Sequence, residues 1–384
     1  MLKADLFMAA AKRRRNGRVL VAVAITAIAW STAAPLTARG GQSRSEQRLQ
    51  ERVDEAHRRE AEVLVRLADD ARSGRVAADF GIEWRHDFLK AQPGTFVPFT
   101  VSIARADLDA THALMYVRAV RVGTPGASPA SEGKASESAE GERFAFDAIF
   151  PVSLGAPAGE SIRISRGFAV EPGDYEVYVT VRERPADPLA TRSGRLKAAV
   201  LKRTLAVPDY WTDELSTSTV MLADRIDVLP RPLGPDESLE RPYVIGLNDV
   251  KISTSSRFRK NRELIVVFVV YNPTVTADRR FDLQVDYHLF HRVPPGTSGG
   301  TAAPEDAPQA REGERYVTRT EPQRFNPSVL GPRVDPGAGH PVLAGQGILL
   351  SSFQEGDYRL GITITDLLSR KTLFRDVTFT VTGS

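Results

Sequence analysis

The sequence predicts a mainly β protein, in which two tandem antiparallel β-sandwiches follow an N-terminal leader and one charged α-helix. Three observations predict this fold. Apolar residues recur at every second position in many segments after Asp79, as they do in half-buried strands. Turn residues separate seven or eight such segments in each half of that region, which is typical of β-sandwiches. Before the strands, apolar residues follow a helical spacing, and a short apolar run precedes that helix.

Composition limits the class of protein. Of the 384 residues, 42% are hydrophobic and 26% are charged, which is the mixture of a folded globular chain and excludes collagen-like, wholly disordered and polytopic membrane proteins. The net charge is +3, but residues 1–40 hold seven bases and one acid, so the rest of the chain is net negative. The basic balance therefore belongs to the leader, and we predict no nucleic-acid partner.

The chain contains no cysteine. This excludes disulfides, zinc–thiolate sites and cysteine nucleophiles, and it also excludes a lipid anchor attached through cysteine. A sandwich of this chain must therefore be stabilised by burial of apolar surface alone. Each predicted domain is long enough for such a core.

Residues 1–40 have the order of an export signal. A cationic segment from Lys12 to Arg18 precedes a twelve-residue apolar run at 19–30, and small residues follow it. Twelve helical residues reach about 18 Å, which is less than the ~30 Å hydrocarbon core of a bilayer. Extension of the run to Ala38 would make a marginal membrane span.

Two fates of this leader remain open. It is either a signal peptide that is cleaved after Ala33 or Gly40, or an uncleaved signal anchor formed by residues 19–38. In both cases the positive-inside rule places the remainder outside the cytoplasm, in the periplasm or the cell envelope.

Residues 41–75 predict a charged helix that covers 42–72 and ends at Gly74. The segment holds eight bases and eight acids, which can form i,i+4 pairs on the polar face. Its apolar stripe is narrow and consists mostly of small residues. We favour a spacer that leans on the first sandwich, and a short coiled coil between two chains is the alternative.

Residues 76–208 and 209–384 predict one β-sandwich each. The segment 264–270 is apolar at every position, which is the pattern of a strand covered on both faces. One face would pack in the domain core, and the other would lie under the first domain or a partner. We also predict single strands at 243–253 and 347–353.

The two halves share a repeated pattern. Gly173-Asp174-Tyr175 and Gly356-Asp357-Tyr358 each open the penultimate strand of their half. Each half also has a 20-residue excursion rich in small residues and proline, at 123–142 and at 294–313. We predict a duplication of one sandwich, with excursions that are either hairpin tips without order of their own or loops that order on a partner.

Tyr175 and Tyr358 occupy the position of a tyrosine corner, at the start of the penultimate strand. In Ig-like sandwiches the ring of that tyrosine fills the edge of the core, and its hydroxyl bonds to the backbone a few residues upstream. The sequence therefore predicts Ig-like sandwiches, and it predicts a structural role for both tyrosines and not a catalytic one.

Three further segments carry a family resemblance. The stretch 207–220, which contains Tyr210-Trp211-Thr212-Asp213, the block 239–246 and the ending 355–371 resemble a group of uncharacterised bacterial exported proteins. Their C-terminal β region is similar to that of proteins with a GWxTD domain. The resemblance covers roughly residues 80–384 and implies Ig-like architecture and export, but no activity. Trp211-Thr212-Asp213 lacks two residues of the GWxTD signature, so that domain itself is not predicted.

The sequence contains few candidates for chemistry. No zinc-protease, serine-hydrolase or P-loop motif occurs. His288 and His291 are three apart on a predicted strand, which places them on opposite faces and makes them poor joint metal ligands. Asp107 and Asp109 lie in a loop that we interpret as a solvated turn. We therefore predict no catalytic residue, no metal site and no cofactor.

These observations favour an exported, non-enzymatic β-sandwich protein that binds a protein partner, for example by strand addition at an open sheet edge. The alternative is an exported hydrolase with a site at the interdomain junction. That site would need at least two of His86, His112 and His340, each with an acid within hydrogen-bond reach.

Overall fold

The computed structural model describes residues 44–92, 94–123, 136–137, 143–155, 161–185, 195–294, 303–304, 307–331 and 334–383. The predicted signal or anchor in residues 1–40 lies outside this range, and so does most of the loop 123–142. Within this range, no helix has both the length and the apolar character that a membrane crossing requires.

The described chain is mainly β, as predicted. Its α-helices are α1 (Arg44–Arg72), α2 (Pro235–Glu240) and α3 (Pro327–Leu330), and short 3-10 turns lie at Arg105–Asp107 and Pro336–Ala338. The strands of the first half are β1 (Glu83–His86), β2 (Leu89–Lys90), β3 (Thr95–Ala104), β4 (His112–Arg121), β5 (Ser136–Glu137), β6 (Arg143–Phe144), β7 (Phe146–Ser153), β8 (Ser161–Val170), β9 (Gly173–Arg184) and β10 (Ala198–Val207). Those of the second half are β11 (Ser216–Thr217), β12 (Met221–Val228), β13 (Val244–Ile245), β14 (Asn248–Ile252), β15 (Arg257–Arg259), β16 (Glu263–Tyr271), β17 (Leu283–Arg292), β18 (Glu314–Arg319), β19 (Gln323–Phe325), β20 (Val342–Leu349), β21 (Gly356–Asp366) and β22 (Thr372–Thr382).

Sandwich 1 packs two antiparallel sheets face to face. In one sheet β3 lies between β8 and an edge formed by β1 and β2, and the other sheet has the order β10-β9-β4-β7. Apolar side chains that point inward from both sheets form its core, and Phe99, Val117 and Val179 are among the fully buried ones. This is the three-on-four strand arrangement of an Ig-like sandwich.

Sandwich 2 is built in the same way. Its first sheet places β16 between β20 and an edge formed by β11 and β12, with β14 and β13 added outside β12. Its second sheet has the order β15-β22-β21-β17, with β18 and β19 along the outer side of β17. The sandwiches are built from antiparallel pairs, and the short pair between β15 and β22 is parallel.

Register and turn geometry also recur between the sandwiches. Arg121 of β4 is paired with Tyr175 of β9, and His291 of β17 is paired with Tyr358 of β21. Gly173 and Gly356, which open β9 and β21, have φ values of 142° and 140°. Both therefore adopt a conformation that side chains rarely allow, which explains why glycine stands at both positions.

Helix α1 covers the outer face of the four-stranded sheet in sandwich 1. Leu64, Ala68 and Ala71 pack against a cluster that includes Tyr116 and Tyr178. Tyr178 points away from the core of its own sandwich and is nevertheless fully buried, because the helix lies over it. The helix therefore packs on the first sandwich, as predicted, and its role as a spacer stays a prediction.

Residues 307–313 cover part of the corresponding face in sandwich 2. Pro308 packs over Gly361 of β21, and the Gln309 carbonyl accepts a hydrogen bond from Nη2 of Arg359 at 3.1 Å. For this end of the loop 294–313, the structure corrects the expectation of a hairpin tip without order of its own.

A third apolar cluster joins the two sandwiches. Leu89 of sandwich 1 packs with Met221, Val267 and Tyr271 of sandwich 2, and the Lys90 amide donates to the Tyr271 hydroxyl at 3.0 Å. The alternate side chains of β16 point into the core of sandwich 2. The prediction that both faces of this strand are covered is confirmed, and sandwich 1 covers the second face.

Two strand predictions are wrong in detail. The segment 243–253 is a hairpin of β13 and β14 and not a single strand, because Gly246 adopts φ 65° and turns the chain. The strand predicted at 347–353 lies at Val342–Leu349, where Gly345 and Gly347 interrupt the apolar alternation that sequence analysis depends on.

Candidate functional site

A pocket of about 330 Å³ opens at one end of sandwich 2, where β17 ends and where β18 and β21 begin. Its lining consists of one residue of β17, three of β18 and four of the segment 352–358: His291; Arg315, Val317 and Thr318; and Ser352, Phe353, Gln354 and Tyr358. Arg315 is the only charged residue among them. The register of β17 and β18 places Arg315 directly opposite His291.

Tyr358 fixes one wall of the pocket. Its hydroxyl donates to the Gln354 carbonyl at 2.9 Å, and its ring stacks on the His291 ring with centroids 4.5 Å apart. Burial raises the pKa of Tyr358, so the hydroxyl remains a donor at neutral pH. In sandwich 1 the Tyr175 hydroxyl makes the equivalent bond to the Glu171 carbonyl at 2.7 Å. These are the bonds that tyrosine corners would make.

Replacing Tyr175 or Tyr358 with phenylalanine is expected to lower the free energy of unfolding by about 1 kcal/mol for each, because each variant loses one hydrogen bond and keeps its ring. The double variant is expected to lose the sum, since the two residues lie in different sandwiches. Urea denaturation followed by circular dichroism measures both effects. Single variants as stable as the wild type would contradict a structural role for the hydroxyls.

His291 contributes an unused hydrogen-bond acceptor. The residue is 8% exposed, and its Nδ1 atom is buried without a hydrogen-bond partner among the described residues. The backbone of Glu355 forms a hydrogen bond with the imidazole ring. The ring atom in this bond is Nε2, because Nδ1 has no partner. Burial and then the charge of Arg315 lower the pKa of His291. The ring is therefore neutral at pH 7, with Nε2 as donor and Nδ1 as a free acceptor.

Sandwich 1 has an arginine at the position equivalent to His291. Arg121 lies opposite Tyr175, and its Nη2 donates to the Pro172 carbonyl at 2.7 Å. Pro172 precedes Gly173 as Glu355 precedes Gly356, so both side chains reach the same backbone position. An arginine has donors only, whereas the histidine leaves one acceptor unused.

The histidines required by the hydrolase hypothesis have other partners. His86 Nδ1 accepts from Trp84 Nε1 at 2.9 Å, His112 Nδ1 lies 3.0 Å from the Thr111 hydroxyl, and His340 Nδ1 accepts from the Asp335 amide at 3.1 Å. Within the described residues, these contacts do not join any of the three to a carboxylate. They lie on β1, at the start of β4 and before β20, so the fold does not assemble them into one hydrogen-bonded group.

The remaining candidates for metal binding are also engaged elsewhere. His288 lies on the face of β17 opposite to His291, as predicted, beside the Tyr316 ring at a centroid distance of 6.2 Å. Lys197 Nζ lies 3.1 Å from Asp109 Oδ2 and donates to the Asp107 carbonyl at 2.8 Å. No group of three or more potential metal ligands occurs in the part of the chain that the structure describes.

Comparison with known proteins found similar solved structures. No family model and no curated protein matches the chain. The chain is similar to Escherichia coli alpha-2-macroglobulin activated by porcine elastase, at 12% identity and a TM-score of 0.22, over 80% of this chain and 24% of that one. It is also similar to the native conformation of the E. coli protein, at 12% identity and a TM-score of 0.26, over 80% and 26% of the two chains. It thus spans about a quarter of their length, and the similarity to GWxTD-domain proteins stays a prediction.

Proposed function

We propose that this chain is an exported, non-enzymatic β-sandwich protein that binds a protein partner in the periplasm or the cell envelope, through the pocket at the end of sandwich 2. One observation carries the proposal: a pocket wall combines a cation, Arg315, with a buried and unused acceptor, His291 Nδ1. Such a pair recognises a ligand by its charge and by a hydrogen bond.

The same geometry favours binding over hydrolysis. Ser352 lines the pocket, but Nδ1 of His291 has no hydrogen-bond partner, so it does not bond to the Ser352 hydroxyl. On its other side the imidazole bonds to the backbone of Glu355 and not to a carboxylate. A serine nucleophile needs a base in hydrogen-bond reach that a third group orients, and this ring meets neither condition.

The interdomain junction supports the same conclusion. Its apolar cluster contains fully buried side chains such as Met221 and Val267. Packed apolar side chains therefore fill this part of the junction.

The proposal that the protein is exported depends on the leader, residues 1–40. The cationic and apolar segments of residues 1–40 would direct residues 41–384 across the inner membrane, either cleaved or anchored through residues 19–38. We propose that residues 41–75 act as the spacer helix and that 76–208 and 209–384 arose by duplication of one sandwich. The shared register of β4–β9 and β17–β21 and the two positive-φ glycines support the duplication.

The test is capture of the partner from intact bacteria. The full chain with a C-terminal tag is crosslinked in cells and purified from the envelope fraction, and mass spectrometry identifies the captured proteins and the mature N-terminus. Three forms are compared: the wild type, His291→Arg, which copies Arg121 of sandwich 1, and His57→Arg, which makes the same change at an exposed position of α1.

We expect the wild type and His57→Arg to capture the same partner, and His291→Arg to capture much less of it. A mature chain that begins at Ala34 or Gly41 would establish cleavage. A chain that stays in the cytoplasm would contradict export. Equal capture by all three forms would contradict the pocket as the binding site.

A further inference from the structure

We infer that Asp87 makes the junction between the two sandwiches sensitive to pH. The sandwiches are held together more firmly when the carboxyl group of Asp87 is protonated, and the junction loosens when this carboxyl group is ionised. Asp87 therefore couples the mutual arrangement of the sandwiches to the acidity of their surroundings. The inference concerns the junction alone and depends neither on the pocket nor on export.

Asp87 lies between β1 and β2, where sandwich 1 meets sandwich 2. The next residues of the chain bond across the junction, because the Phe88 amide donates to the Thr219 hydroxyl at 2.9 Å and the Lys90 amide donates to the Tyr271 hydroxyl at 3.0 Å. Asp87 is only 1% exposed, and its Oδ2 atom is buried without a hydrogen-bond partner in the part of the chain that the structure describes. A carboxylate at this place loses its water without gaining a donor for that oxygen, which is unfavourable.

Ionisable side chains of both sandwiches act on this carboxyl group. Tyr243, which precedes β13 in sandwich 2, has a hydroxyl that is also buried without a hydrogen-bond partner among the described residues. Burial raises the pKa of Asp87, and the charge of Arg85 and the Tyr243 hydroxyl oppose this shift without cancelling it. The charge of Asp87 acts in turn on Tyr243 and on Tyr210. Burial raises the pKa of both tyrosines above its ordinary value, so both stay neutral where Asp87 changes its charge.

The cation nearest to Asp87 is shared with the other sandwich. Nε of Arg85 lies 3.9 Å from Oδ2 of Asp87, which is too far for a hydrogen bond. Nη1 of the same guanidinium donates to the Ser253 carbonyl of sandwich 2 at 2.6 Å. An ionised Asp87 attracts this guanidinium away from Ser253, whereas a protonated Asp87 does not. Ionisation thus weakens a hydrogen bond that crosses the junction.

The sign of the pH dependence follows from the direction of the shift. Because the pKa of Asp87 is raised in the folded chain, the stabilisation by its proton is complete below the ordinary pKa of an aspartate and is lost as the pH rises through the raised value. The adjacent His86 acts in the opposite sense, since burial and then the charge of Arg85 lower its pKa and its protonation opposes folding at low pH. A variant at Asp87 keeps His86, so a comparison with the wild type at each pH isolates Asp87.

The experiment measures hydrogen exchange in the wild type, Asp87→Asn and Asp213→Asn. Asparagine copies the neutral carboxyl group at every pH, and Asp213 is an exposed residue of the connector that serves as the matched control. Mass spectrometry follows peptides that contain the Lys90 and Thr219 amides, whose hydrogen bonds cross the junction, and the rates are corrected for the intrinsic effect of pH. Peptides of β17, in the core of sandwich 2, report global unfolding.

We expect the opening equilibrium of the junction peptides to rise several-fold between about pH 4 and about pH 8 in the wild type and in Asp213→Asn, because Asp87 ionises in this range. Asp87→Asn is expected to show the low opening of the acidic wild type at both pH values. The β17 peptides are expected to change much less than the junction peptides.

Two results would overturn the inference. One is a wild-type junction whose opening stays constant or falls as the pH rises. The other is an Asp87→Asn variant with the pH profile of the wild type, which would assign the effect to another group. Circular dichroism establishes that each variant is folded. If Asp87→Asn does not fold, the wild type still decides, because selective opening of the junction peptides at high pH supports the inference and a flat profile contradicts it.

Discussion

Replacing Arg359 with leucine is expected to lower the free energy of unfolding by about 3–5 kcal/mol, because the change leaves a buried carboxylate without its cation. The side chains of Arg359 and Glu314 are 5% and 7% exposed. Nε and Nη2 of the arginine donate to both carboxylate oxygens, and the guanidinium stacks over the Phe290 ring at 4.1 Å. Urea denaturation of the purified chain measures the loss.

The double variant Arg359→Leu with Glu314→Leu separates charge from packing. It removes both partners of the ion pair, so it is expected to recover most of the stability that the single variant loses. Arg311→Leu is the matched control, because its ion pair with Asp376 is largely exposed and such pairs contribute about 1 kcal/mol or less. A double variant as unstable as the single one would show that lost packing causes the effect.

This ion pair has a counterpart in sandwich 1. There the buried Arg118 stacks over Phe144 at 3.9 Å and pairs with Asp69 of α1, whereas in sandwich 2 Arg359 holds residues 307–313 through Gln309. In both sandwiches a buried arginine thus attaches a cover to the outer face of one sheet, which contains β4 and β9 in sandwich 1 and β17 and β21 in sandwich 2. The covers differ, since one is a helix and the other is a loop.

The periodicity of apolar residues along the sequence predicted the strands and the faces that they bury. The alternation after Asp79 predicted the sandwiches, and the continuous apolar run of β16 predicted cover on both faces. We predicted that the helix contacts the first sandwich, but the face that it covers and the loop that covers sandwich 2 could not be predicted. Asp286 and His288 stand at the polar positions of β17, yet both are buried. Burial of a polar face depends on a distant segment that packs over it, and a local pattern does not reveal that segment.

The pocket could not be predicted from the sequence either, because it also depends on segments that are distant in the chain. His291, Arg315 and Ser352 are far apart in the chain, and they meet only through the pairing of β17 with β18 and the turn before β21. That pairing contains a register shift after Leu289, which no periodicity reveals. The internal repeat held the available signal: once the strands are superposed by register, His291 stands where Arg121 would be expected.

Replacing Val267 with aspartate is expected to separate the unfolding of the two sandwiches. Val267 is fully buried in the junction cluster, and a carboxylate there is unfavourable by several kilocalories per mole unless the sandwiches part and water enters. The neighbouring Val266 points to the opposite face of β16, into the core of sandwich 2. Differential scanning calorimetry should show one transition for the wild type and two for Val267→Asp.

Two aspartate variants in the same sheet test whether this effect belongs to the junction. Val266→Asp is expected to lower the transition of sandwich 2 itself, because the charge enters the core of that sandwich. Val228→Asp is expected to leave the single transition unchanged, because Val228 is 75% exposed. One unchanged transition in Val267→Asp would show that the junction cluster does not couple the sandwiches. The expected result is two unfolding transitions in Val267→Asp and a lower transition temperature of sandwich 2 in Val266→Asp. Because adjacent residues of a strand point to opposite faces, this result would show that one face of β16 stabilises the junction and the other stabilises sandwich 2.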